Sequence, residues 1–151
     1  MAGNLAIPAV AGSFAYRFSG YAMKQDRPWY LTGVGRFDID PDGNLTGTHR
    51  SAVMPIQGFS MALEWGDYAL KGTMTVRSDG CGDANIVFTL TSGKGRDVRG
   101  EFFVILAGDT DHLWFTCKAD EVLPKEGEPP GKDEDNAAKE SVMLEAVRVA
   151  F

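Results

Sequence analysis

A chain of 151 residues fits one domain and is long enough to bury a real core. With 44% hydrophobic and 24% charged residues it reads as globular, and its net charge of -6 argues against nucleic acid or an anionic membrane as the main partner. Glycine is abundant at 18 residues while long helical periodicity is missing, which points to many strands with tight turns and bends.

In chain order, the N-terminal residues lack the basic start and long apolar core of a signal peptide. Ser13–Met23 alternates Phe14, Tyr16, Phe18 and Gly20 against Ala15, Arg17, Ser19 and Tyr21, the period of a first strand. Lys24–Pro28 is a polar break. Trp29–Ile39 is the second strand, and Asp40-Pro41-Asp42-Gly43 a tight turn. Asn44–Met54 is the third strand, with Leu45, Gly47, His49, Ser51 and Val53 on one face. Pro55–Gly66 is a long apolar connection with room for a short strand or a helical turn. Leu70–Leu90 holds two alternating runs about Asp79-Gly80-Cys81-Gly82, a hairpin that supplies strands four and five. Leu31, Gly33, Phe37, Asp40 and Gly43 recur 39 positions later as Leu70, Gly72, Val76, Asp79 and Gly82, an echo that supports the hairpins.

Ser92–Asp97 is a loop, Val98–Leu106 strand six, Gly108–Asp111 a tight turn and His112–Lys118 strand seven. Residues 119–139 are polar, with Pro124, Pro129, Pro130 and a Lys-Asp-Glu-Asp run, and read as a mobile acidic loop. From Asp120 to Glu140 there are eight acidic against three basic side chains, so the rest of the chain is nearly neutral. Ser141–Phe151 is the last strand.

About eight sequential antiparallel strands make an all-β, up-and-down meander, which closes into a barrel to remove its edges. Inward glycines supply the bends that closure needs. Residues 1–151 are thus expected to form a single barrel domain. Connections two, four and six are tight and connections one, three, five and seven are longer, so one end is closed and the other is an open mouth.

This layout resembles the calycin group: lipocalins, fatty-acid-binding proteins and avidin-like barrels. Lipocalins carry G-x-W near the start of the first strand, with an arginine of the last strand packed on the tryptophan. Gly12-Ser13-Phe14 stands at that place here and Arg148 lies on the last strand, so the resemblance implies an Arg148–Phe14 cation–π contact.

A barrel of this size is filled by its own side chains or holds one small molecule. The expected ligand-binding residues are Tyr16, Phe18, Trp29, His49, Ser51, Tyr68, Phe88 and Phe102. His49 and Ser51 are the strongly polar pair on an apolar face. They either orient a ligand or, for His49, bond to Tyr16 or Tyr68 in the core; acid–base work by His49 is the third option. Trp29, Trp65, Phe59 and Met61 lie near the mouth, as ligand-lid residues or as loop packing, and Glu64 is a carboxylate there.

Phe103, Ile105, Trp114, Val147 and Val149 are expected to point outward on strands six to eight and to form a homodimer contact, unless Arg148 signals reversed parity in the last strands. Cys81 and Cys117 fall at levels roughly 20 Å or more apart along the barrel, too far for a disulfide. No zinc, calcium, phosphate-loop or dinucleotide motif stands in the sequence, and no cofactor or metal is expected. With no stretch of transmembrane length, the expected setting is the cytoplasm, with reduced thiols.

The leading expectation is non-catalytic binding of a small apolar or aromatic molecule inside the barrel. The alternatives are a cofactor-free cyclase or isomerase, like the allene oxide cyclase and dirigent barrels, and an oligomeric interaction module with a filled core.

Overall fold

The computed structural model describes residues 10–24, 27–55, 64–125, 127 and 139–150. Eight strands follow one another: β1 Gly12–Lys24, β2 Arg27–Ile39, β3 Asn44–Pro55, β4 Glu64–Val76, β5 Cys81–Gly93, β6 Val98–Leu106, β7 His112–Val122 and β8 Lys139–Arg148. Each pairs antiparallel with the next, and β1 pairs with β8, so the sheet closes into an up-and-down barrel.

Period-two patterning decides which side chains enter. Along β6, Gly100, Phe102 and Val104 are buried while Arg99, Glu101, Phe103 and Ile105 are exposed. The same alternation sends Phe14, Tyr16 and Phe18 of β1 inward. Burial of each such large apolar side chain favours the fold by about 1.5–3 kcal/mol.

The three tight turns share one device. Asp40 accepts the backbone N–H groups of Asp42 and Asn44 at 2.9 and 2.8 Å. Asp79 accepts that of Cys81 at 2.9 Å, and Asp109 that of Asp111 at 2.8 Å. Gly43, Gly80 and Gly108 provide the left-handed backbone at φ of 86, 82 and 89°. All three turns lie at one end. At the other, the connections at 56–63 and 123–138 are long as expected, but only residues 25 and 26 separate β1 from β2 and residues 94–97 separate β5 from β6, so connections one and five are no longer than the turns.

At the turn end the barrel is plugged. Val10, Phe14, Phe37, Leu45, Leu113 and Phe115 are almost wholly buried there. Arg148, in register with Phe14 and therefore inward, crosses the opening with its guanidinium 4.9 Å from the Phe14 ring centre. It donates to the carbonyls of Ala11 and Thr110 at 2.7 and 2.8 Å and to the Asp111 carboxylate at 2.7 Å. A Cβ on Gly12 would collide with Arg148 Nη1, so glycine at that position clears the guanidinium's path. The parity of the last strands is therefore not reversed: Arg148 faces inward at the rim, where carbonyls and a carboxylate satisfy it.

Several boundaries differ from the sequence expectation, most of all in β4, β7 and β8. β4 begins at Glu64, so residues 64–66 belong to a strand rather than to the long connection. β8 runs Lys139–Arg148, starting and ending earlier than Ser141–Phe151. β7 continues to Val122, so residues 119–122 are strand and not loop. The reason is a bulge. Phe102 pairs with Cys117 but Glu101 pairs with Ala119, leaving Lys118 as the extra residue and switching the inward parity beyond it. Phe59 and Met61, and most of the acidic loop at 126 and 128–138, lie outside the described residues.

Candidate functional site

The upper half of the barrel is built on rows of paired residues. One row runs Tyr16, Gly35, His49, Tyr68 across β1 to β4; the next runs Phe18, Gly33, Ser51, Gly66. The glycines make the rows work. A Cβ on Gly35 would stand 2.5 Å from Tyr16 Cζ, and one on Gly33 would stand 2.5 Å from Phe18 Cζ. The two aromatic rings therefore lie flat across β2 toward β3, as rings do over glycine on a neighbouring strand. Phe102 likewise covers Gly100 on its own strand.

Tyr16 thereby reaches past Gly35 to His49, with its hydroxyl 2.6 Å from Nδ1. Burial pushes the Tyr16 phenol far above its ordinary range, so it keeps its proton. Its hydroxyl has no other hydrogen-bond partner among the described residues, so it donates to Nδ1. That assignment puts the imidazole proton on Nε2. Burial also lowers the His49 pKa to about 4, and the ring is neutral at pH 7. Phe18 stacks on it at 4.4 Å and 15°, while Phe88 and Tyr68 meet it edge-on at 5.2 and 5.6 Å.

Above this cluster lies a cavity of about 500 Å³ that reaches the mouth. Its apolar wall includes Phe18, Leu31, Phe88, Val98, Phe102 and Leu144. His49 and Ser51 supply polar groups from β3. Glu64, Lys94, Arg96 and Asp120 add two charges of each sign. Arg96 also donates to the Leu123 carbonyl at 3.2 Å, which ties the loop at 94–97 to the end of β7.

Of the eight residues singled out from the sequence, Phe18, Trp29, His49, Ser51, Tyr68, Phe88 and Phe102 line this cavity. Tyr16 does not. It lies beneath, against Phe18 and Phe37, and acts through its bond to His49. Trp65 is exposed on the outer wall, where Arg50 stacks on its ring at 5.5 Å, so it is no part of a lid over the cavity. Asp120, Arg96 and Cys117 are cavity residues that sequence reasoning passed over. Asp120 was hidden by the parity switch at Lys118, and Arg96 by its place in a loop, where period two says nothing. Cys117 does follow the inward period of β7, set by Leu113 and Phe115, so the signal for it was present.

Cys81 and Cys117 are both free thiols. Among the described residues no three His, Cys, Asp or Glu side chains stand close enough to hold a metal ion. Among them, too, no helix is long and apolar enough to cross a membrane. No protein-family model, no curated protein and no solved structure matches this chain.

Proposed function

We propose that the barrel binds one small apolar or aromatic molecule in its upper half, without turning it over. The observation that carries this reading is the cavity of about 500 Å³, aromatic-walled and open at the mouth, above a sealed lower core. Its size and its mostly apolar wall with a few polar groups are those of small-molecule sites. Neutral His49, with Nδ1 already engaged, is a weak base and a poor acid at pH 7, which disfavours the cyclase or isomerase reading. The open upper half disfavours an interaction module with a filled core. The up-and-down order and the Gly12–Phe14–Arg148 closure support a calycin-like relationship. The test is a thermal-shift and native-mass screen of two- and three-ring aromatics against wild type and Val53→Trp, which fills the cavity from β3. Bound mass and a raised midpoint in wild type, both lost in Val53→Trp, support the reading. A wild-type protein that takes up none of the panel refutes it.

The same reading places the protein in the cytoplasm, without nucleic-acid or membrane partners. Outward ion pairs Arg17–Glu145, Arg50–Asp67 and Arg99–Glu121 occupy a wall that a lipid-facing barrel would keep apolar. A homodimer through β6–β8 is part of the proposal. Phe103, Ile105, Trp114, Met143 and Val147 are exposed together on that face, whereas Val149, expected among them, is half-buried beyond β8. A dimer mass by light scattering at micromolar concentration is expected; a monomer mass removes this contact.

A further inference from the structure

The polar groups of the cavity are arranged unequally, and that inequality bears on which molecule fits. His49 and Ser51 are successive inward residues of β3 and line one wall together. Ser51 is 7% exposed, and its hydroxyl has no hydrogen-bond partner among the described residues. Tyr16 holds Nδ1 of His49, which leaves Nε2–H as the ring's remaining polar atom. This wall therefore offers the Nε2–H donor and a hydroxyl free to donate beside it, with no charge. The charged lining residues, Glu64, Lys94, Arg96 and Asp120, cancel formally. A ligand with a net charge would give up its hydration to a lining whose own charges sum to zero, so it gains no net attraction from the site as a whole to offset that cost. A ligand with no acceptor would leave the Ser51 hydroxyl and Nε2–H unpaired after displacing water.

The remaining wall selects shape. Phe88 and Tyr68 stand edge-on to the imidazole at 63 and 78°, and Phe102 stands at 65° to Phe88. Such surfaces meet a flat ring in offset or edge-to-face contact.

We propose that the cavity takes a neutral, flat aromatic molecule of two or three fused rings bearing a carbonyl-type acceptor, seated with that acceptor against His49 and Ser51. This rests on the ligand-binding reading above and gives it a chemical class. Tyr16 is a positioning residue: it fixes the donor tautomer of His49 without touching the ligand.

The experiment uses three matched probes, 9-fluorenone, fluorene and fluorene-9-carboxylate, titrated into the full-length chain by calorimetry. Fluorenone is expected to bind about tenfold more tightly than fluorene, the worth of one good hydrogen bond to an otherwise unpaired buried donor. The carboxylate is expected to bind more weakly than either. In His49→Phe and in Ser51→Ala the ketone's advantage falls, while fluorene affinity stays within about threefold. Ser51→Ala removes a single oxygen and keeps the question open to test if His49→Phe does not fold. In Tyr16→Phe the advantage shrinks as the imidazole loses its fixed tautomer. Equal affinity for fluorene and fluorenone, an advantage that survives both substitutions, or tightest binding of the carboxylate overturns the proposal and leaves ligand binding standing. Failure of all three probes to bind at their solubility limits overturns both.

Discussion

Replacing Arg148 with alanine tests how the turn end is sealed. The guanidinium is 27% exposed and makes two bonds to backbone carbonyls, an ion pair to Asp111 and a cation–π contact on Phe14. The carbonyl owners, Ala11 and Thr110, are half-buried, so water can replace part of what is lost. About 1 kcal/mol for each bond is then reasonable. The ring contact adds about 0.5–1 kcal/mol, and the pair to the exposed Asp111 about 0.5 kcal/mol. The variant should lose about 3 kcal/mol, or about 10 °C of midpoint for a domain of this length. The control is Arg17→Ala. Arg17 also pairs with a carboxylate, Glu145 at 3.0 Å, but the two side chains are 77% and 48% exposed. That loss should stay under about 0.5 kcal/mol. Urea unfolding at pH 7 measures both. If Arg148→Ala costs under about 1 kcal/mol, or no more than Arg17→Ala, the guanidinium is not what holds the plug and the argument from burial and hydrogen bonding fails.

Gly35→Ala drives a methyl group to 2.5 Å from Tyr16 Cζ and 2.6 Å from the Thr48 carbonyl, so it should cost about 2–4 kcal/mol by overpacking and by breaking the Tyr16–His49 bond; an unchanged urea midpoint would show that the ring is not seated on that glycine. His49 titrates near 4 in the folded protein and near its ordinary 6.5 when unfolded, so the unfolded chain binds the extra proton between those values. Stability should therefore be whole above about pH 6.5 and fall by about 2 kcal/mol as pH drops toward 4, because one edge of the ring faces the cavity. His49→Phe should flatten that part of the profile; identical profiles for the two proteins would refute it. Both thiols should react with a maleimide after unfolding without reductant, adding two labels by mass, and a count of zero would indicate a disulfide.

Much of this architecture is written in residue pattern because closure and burial act on every second residue. The alternation of Phe14, Tyr16 and Phe18, or of Phe102 and Val104, states both the strand and its inward face. Turns announce themselves because Asp and Gly provide the acceptor and the left-handed backbone that a tight connection requires. Periodicity fails where geometry breaks it. At Lys118 one unpaired residue reverses the inward face, so Asp120 reads as part of an acidic loop although it lines the cavity. Glu121, outward on late β7, carried the same disguise. Pairing across strands is likewise invisible to a linear reading. Nothing local to Tyr16 says that a glycine on the next strand will let it reach His49.

That last point resolves the tension between a barrel rich in bulky aromatics and a barrel with room inside. Aromatic side chains fill a lumen when they project along the radius. Here the inward positions of β2 opposite Tyr16 and Phe18 are Gly35 and Gly33, and the position before Phe102 on its own face is Gly100. Each ring tilts onto the bare backbone beside it and becomes wall rather than filling. Toward the turn end Gly47 stands opposite Phe37 on β3, but there Phe14, Phe37 and Phe115 meet one another at 5.4 and 5.8 Å and the lumen is solid. The two halves depend on each other. A hollow upper half forgoes packing between its own side chains, and a small domain can tolerate that only if its other half is densely packed and its rim is locked. Substitutions that fill the glycine row should therefore change the size of the cavity, whereas substitutions in the lower plug should change how long the barrel survives.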